Sequence, residues 1–132
     1  MIPKFRAWDK RSKEMWKVST LHIEDEYVDL FKKNIYENPL NDPWAKFGDA
    51  ILMQATGLKD KNGVEIFEGD LVEHDDNING TWETFEACEI VYDVDYAQFC
   101  FKNDASNFLS YYRNLCIIGN IHENPELLEE SE

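Results

Sequence analysis

Short apolar runs broken by glycine fill the middle of this chain. Residues 51–73 read I-L-M-Q-A-T-G-L-K-D-K-N-G-V-E-I-F-E-G-D-L-V-E, with Gly57, Gly63 and Gly69 spaced six apart. Runs this short, with turn formers between them, predict strand, turn, strand, turn, strand. Asn62-Gly63 is a hairpin signal, because a type I′ turn needs positive φ at both central residues. Asp60 is placed to bond the turn backbone through its carboxylate. Val64 and Ile66 alternate with Glu65, the pattern of a strand with one wet face. Gly69 then admits a backbone conformation closed to other residues, Asp70 holds the corner, and Leu71-Val72 restarts an extended run.

Towards the N-terminus, Phe5 to Trp8 and Met15 to Val18 predict two short strands around the polar turn 9–13, a first hairpin. Trp8 and Trp16 are expected to flank the turn on the same sheet, each in core or cross-strand packing. Leu21 and Ile23 alternate with polar neighbours and extend the sheet. Tyr27, Val28, Leu30, Phe31 and Ile35 fit a helical stripe, with Glu24, Asp25 and Glu26 at its start, which predicts a short helix over 26–35. Pro39 and Pro43, with Asn38, Asn41 and Asp42 among them, mark a loop, and residues 44–48 an exposed turn or one helical turn.

Towards the C-terminus, Asn79-Gly80 signals a second tight turn. Strands are predicted over 85–92 and 96–101, the second apolar on both faces, and over 115–121. Residues 102–107 read as a loop and 108–112 as a short further element. Pro125 opens a last helical turn, and residues 129–132 read as a frayed acidic tail. The expectation is a mainly β chain with minor α. It has a small, strongly bent sheet or SH3-like barrel, an N-terminal hairpin and short helices, in one domain over 1–128.

Composition narrows the function. A chain of 132 residues with 43% hydrophobic and 14% aromatic residues builds a real core and is not disordered. The net charge of −14 disfavours nucleic acid and anionic membrane surfaces as partners. The charge is uneven. Lys4, Arg6, Lys10, Arg11, Lys13 and Lys17 face only Asp9 and Glu14 in the first twenty residues, whereas no Lys or Arg lies between Lys61 and Lys102. That acidic window includes Glu73, Asp75 and Asp76. It reads either as a solvated face balanced by the basic N-terminal strands or as a surface that docks a basic protein. Trp44, in its loop, is a candidate for the same partner surface.

Three cysteines, Cys88, Cys100 and Cys116, form no C-x-x-C pair and read as buried free thiols in a reducing cytoplasm. No run reaches membrane-spanning length, and no signal peptide is read at the start. No nucleophile elbow, phosphate loop, dinucleotide fingerprint or H-E-x-x-H occurs. His22, His74 and His122 lie far apart and read as surface or edge-strand residues. Asp75, Asn77, Asn79, Gly80 and Glu86 meet the spacing of a calcium loop, but strand-like sequence flanks them where helices are required. Asp60 and Asp70 would make a carboxylate pair only if their turns converged, and turn capping accounts for both. Neither a catalytic residue, a cofactor nor a metal is expected.

Three blocks of the chain resemble the YopX family of phage and prophage proteins. They are P-K-F-R-A-W-D-K over 3–10, the T-G-L-x-D-x-x-G-x-E-I-x-E-G-D-x-V pattern within 53–72, and I-G-N-I-H-E-N-P-E-L-L over 118–128. The resemblance implies a small, mostly β protein of phages or mobile elements with no catalytic residue to carry over. It fits an architectural role for Gly57, Asp60, Gly63, Gly69 and Asp70. The expected function is that of a non-enzymatic accessory protein that binds a basic host or phage protein, as a homo-oligomer. The alternative is nucleic-acid binding through the basic N-terminal hairpin, with Trp8 stacking on bases.

Overall fold

The structure, a computed structural model, describes residues 4–32, 43–78, 80–102 and 113–130. The chain divides into two compact units, Met1–Gln54 and Ala55–Glu132.

In the first unit, β1 (Phe5–Asp9), β2 (Glu14–His22), β3 (Tyr27–Phe31) and β4 (Trp44–Lys46) lead to a 3-10 turn, η1 (Phe47–Asp49), and into β5 (Ala50–Lys59). The strands pair antiparallel in the order β4-β3-β2-β1-β5. The hairpin predicted at the start is present, with Ala7 opposite Trp16 and Trp8 opposite Met15. Ala7, Val28, Leu30, Ala45 and Ala50 make the core, with Trp16, Val18 and Leu21 packed against it. Small residues at three of those five positions let the strands and the large side chains close without voids.

Where a helix is expected over 26–35, Tyr27–Phe31 is a strand, with Glu26 in the turn before it. Val28 and Leu30 point into the core, while Tyr27, Asp29 and Phe31 remain partly exposed, a period of two. Tyr27, Val28, Leu30 and Phe31 satisfy either period over so short a window, and pairing with both β2 and β4 decides for the strand. The expected turn at 44–48 is strand β4 followed by η1. Residues 33–42 lie outside the described residues.

The second unit holds the later part of β5, β6 (Glu65–Phe67), β7 (Asp70–Ile78), β8 (Thr81–Asp93), β9 (Gln98–Phe101), β10 (Arg113–Asn120) and α1 (Glu126–Glu130). β6 pairs with β5, and a four-stranded antiparallel sheet runs β10-β7-β8-β9. Ile66, Val72, Ile90, Phe101 and Leu115 form its core, joined by Leu58, Cys88, Phe99 and Ile117. Buried Gln98, Cys100 and Phe101 agree with a β9 covered on both faces. The element expected at 108–112 lies outside the described residues. The helix after Pro125 runs on through Glu130, so the residues at 129–130 continue it instead of fraying at once.

The mainly β class stands, with a strongly curled, half-barrel sheet and α1 as the one α-helix among the described residues. The curl has visible local causes. Register shifts interrupt β5 against β6, β7 against β8, and β10 against β7. Bulges of this kind bend and twist a sheet. Ala87 at φ 55° and Asn114 at φ 55° sit within β8 and β10, where the extra residue has to be absorbed.

Candidate functional site

The residues singled out by the glycine-rich stretch are structural corners. Asp60 is only 7% exposed. Its Oδ1 accepts the backbone N–H groups of Asn62 and Val64, each at 2.9 Å, and its Oδ2 accepts that of Ile117 at 3.2 Å. Its carbonyl accepts from Gly63 at 3.0 Å, and its own N–H donates to Val64 at 2.8 Å. This is a three-residue connection closed by a type I-like turn, with Gly63 at φ 81° as the left-handed residue. The expected type I′ turn is absent, because Asn62 is not among the positive-φ residues. Asp60 wins the turn by taking the two N–H groups itself. Burial works to raise the Asp60 carboxyl, but the Val64, Ile117 and Asn62 donors outweigh it and hold the group below its ordinary value.

Gly57 is not a turn. It is a bulge inside β5 at φ 84°, straddled by the Thr56 hydroxyl, which donates to Ile66 at 2.8 Å and accepts from Leu58 at 3.1 Å. Gly69, at φ 83°, donates to Ile90 and accepts from Ile121, each at 2.9 Å. Asp70, 2% exposed, accepts the Phe67 N–H at 2.8 Å. Asp60 and Asp70 are therefore each bonded to backbone donors of their own corner.

Of the acidic window, Glu73, Asp75 and Asp76 lie along β7. Asp75 is bonded within the sheet, Oδ1 accepting from Thr84 at 2.7 Å and Oδ2 from Asn114 at 2.9 Å. Those two donors pull its carboxyl below the ordinary value. The calcium-loop spacing falls on a hairpin in which Asp75 pairs with Thr84 and Ile78 with Thr81, so Asp75 and Asn77 lie along β7 and Glu86 along β8, with Gly80 in the turn between them. No group of three or more His, Cys, Asp or Glu suited to a metal occurs among the described residues. His74, expected near the surface, is buried between Phe85 and Phe101, with ring centroids 5.2 and 4.6 Å away.

Trp44 belongs to the first unit, and there the β3–β4 ribbon builds a groove of about 730 Å³. The register places Tyr27 opposite Lys46 and Asp29 opposite Trp44. Because Val28 and Ala45 turn inward, these four share the outward face. Trp44, 52% exposed, stands edge-on to Tyr27 at 5.6 Å. His22, opposite Tyr27 on β2, stacks on its ring at 4.0 Å and donates from Nε2 to Asp29 Oδ2 at 2.8 Å. The β2–β3 turn brings Asp25 and Glu26 to the rim, anchored where Phe47 donates its N–H to the Glu26 carbonyl at 2.9 Å. Asp49 of η1 completes the wall. Arg11 ties two of these residues together, donating to the Trp44 carbonyl at 3.0 Å with its Nε 4.0 Å from Asp49. The result is an aromatic corner ringed by carboxylates, with Lys46 the one cation in the lining.

Sequence reading found Trp44 in isolation but missed Tyr27, His22 and Asp29, because a helix over 26–35 would have separated them. The period-two reading of 27–31 was the signal that finds them.

No helix among the described residues is long and apolar enough to cross a membrane. No curated protein matches the chain. Among solved structures it is similar to protein EF1440 from Enterococcus faecalis, at 34% identity and a TM-score of 0.67, over 97% of this chain and 99% of that one. The family model described as YopX protein matches residues 4–129, which spans most of both units and all of the three sequence blocks but Pro3, and the chain belongs to the YopX family.

Proposed function

We propose that this YopX-family member is a non-enzymatic accessory protein of phages or prophages that acts by binding a basic host or phage protein in the cytoplasm. The single observation carrying this reading is the outward face of the β3–β4 ribbon. There an exposed tryptophan and a held tyrosine lie among Asp25, Glu26, Asp29 and Asp49. Aromatic anchors with surrounding opposite charge are the usual makings of a protein contact. The chain's net charge of −14 favours the approach of a basic partner over long range. Nucleic-acid binding through the N-terminal hairpin is the weaker reading, because Lys10 bonds the Gly48 carbonyl and Arg11 is engaged with Asp9, Asp49 and Trp44.

The test is capture from host lysate, followed by affinity measurement of the purified partner across ionic strength. A basic protein whose affinity falls steeply with salt is expected. A partner of neutral or acidic character, or affinity indifferent to salt, would sink the proposal.

A further inference from the structure

The groove supports a narrower assignment, which rests on the reading just given. We infer that it is a receptor for one arginine side chain of the partner, whose guanidinium lies against Trp44 and Tyr27 and faces Asp25 and Glu26.

The aromatic corner is open and held in place. Tyr27 is fixed between the stacked His22 ring and the edge contact to Trp44, and half of Trp44 is free to receive a planar cation. A cation over an aromatic face is attracted by the ring quadrupole, and Trp is the best of the three rings for it. The charge complements this, since Asp25 and Glu26 are exposed and make no ion pair with any described residue. Asp29 has its proton donor in His22 and serves to orient the corner.

The wall itself shows which cation suits it. The chain's own Arg11 places one nitrogen on the Trp44 carbonyl and another near Asp49. A rigid planar fork spans those two acceptors, whereas an ammonium offers a single point of charge. A second guanidinium entering the groove would meet carboxylates as Arg11 does, and in addition the exposed Trp44 ring, which Arg11 does not use.

The test is amide and indole NMR of the full chain titrated with N-acetyl-arginine amide, its neutral isostere N-acetyl-citrulline amide, and N-acetyl-lysine amide. The arginine probe is expected to shift Glu26, Tyr27 and the Trp44 indole, and to bind about tenfold more tightly than citrulline, with lysine between them. Trp44→Ala, an exposed position whose fold is checked by circular dichroism, abolishes those shifts, and Glu26→Gln weakens them. Equal binding of arginine and citrulline, shifts mapping elsewhere, or undiminished binding by Trp44→Ala overturns the assignment. If the captured partner binds with salt sensitivity but is indifferent to Trp44→Ala and Glu26→Gln, the groove assignment falls and the wider reading stands. If the arginine probe fills the groove but no basic partner binds, the wider reading falls and the assignment of the groove to the partner's arginine falls with it.

Discussion

Asp60 illustrates how one carboxylate organises several residues. It collects three backbone N–H groups, two from its own turn and one from Ile117 on β10. Lys61 adds a bond to the Leu115 carbonyl at 2.8 Å, so the β5–β6 corner is tied to β10 twice. The same device recurs at Asp9, which accepts from Arg11 and Ser12, at Asp93, which accepts from Asp95 and Tyr96, and at Asn120, which accepts from His122 and Glu123. Asp60→Asn keeps one acceptor oxygen but turns an N–H₂ group towards a backbone donor, and should cost about 1–3 kcal/mol of stability. The pH dependence has a definite sign. A carboxyl held below its ordinary 3.8 contributes stability that is complete above that pH and is lost as pH falls through the folded value. Urea unfolding of wild type and Asp60→Asn between pH 6 and pH 3 should show the gap between them narrowing at the acid end. A constant gap would mean that the carboxylate charge is not what matters. Asp60 was legible from sequence as a turn residue, since Asp ahead of Asn-Gly has few other uses. Its reach to Ile117 was not, because 57 residues separate the two.

At the level of elements, the strands are set by period-two burial and then bent by bulges. Gly57 and Gly69 advertise their positions because only glycine takes positive φ without strain. Lys13, Glu26, Ala87, Ala97 and Asn114 adopt the same backbone region without any such signal. These are residues that the surrounding pairings hold in place, and sequence offers no way to find them. The turn from β10 into α1 gives a sharp test. A Cβ at Gly119 would lie 2.5 Å from Asn124 Oδ1, an atom that accepts the Asn120 N–H at 3.2 Å. Gly119→Ala should therefore cost about 1–3 kcal/mol by displacing Asn124. The cost should shrink in an Asn124→Ala background, because the clashing oxygen is gone. Thermal melts of the four proteins in this cycle check it, and strict additivity would show that the close approach is relieved elsewhere. The reading of 26–35 as a helix failed on the same principle that makes β3 a strand. Four apolar residues in five positions carry no decisive period, and the partners on either side settle the matter.

For the molecule as a whole, two cores stand where a single sequence reading saw one continuous pattern. One is built from Ala7, Val28, Leu30, Ala45 and Ala50, the other from Ile66, Val72, Ile90, Phe101 and Leu115. The boundary falls inside β5, at Gln54, with no linker, proline or polar run to announce it. Charge acts at this scale too. A net charge of −14 destabilises the compact state by self-repulsion, and added salt shortens the range of that repulsion from roughly 30 Å at 0.01 M to roughly 8 Å at 0.15 M. Calorimetry should find Tm rising by a few degrees over that change in sodium chloride. A flat or falling Tm would indicate that favourable ion pairs, such as Lys32 with Glu14 at 3.5 Å, outweigh the excess of like charge.

What the amino-acid sequence determined by itself was local: the mainly β class, the first hairpin, the corners at Asp60, Gly63, Gly69 and Asp70, and the family to which the chain belongs. Each depends on a residue's own backbone preference or on neighbours a few positions away. The tertiary structure alone decided what depends on partners distant in the chain: the strand at Tyr27–Phe31, the bulges, the two cores, and the groove that gathers His22, Tyr27, Asp29 and Trp44 from three strands. The reason is that cross-strand pairing chooses between local conformations of nearly equal energy, and pairing is not written in any one segment.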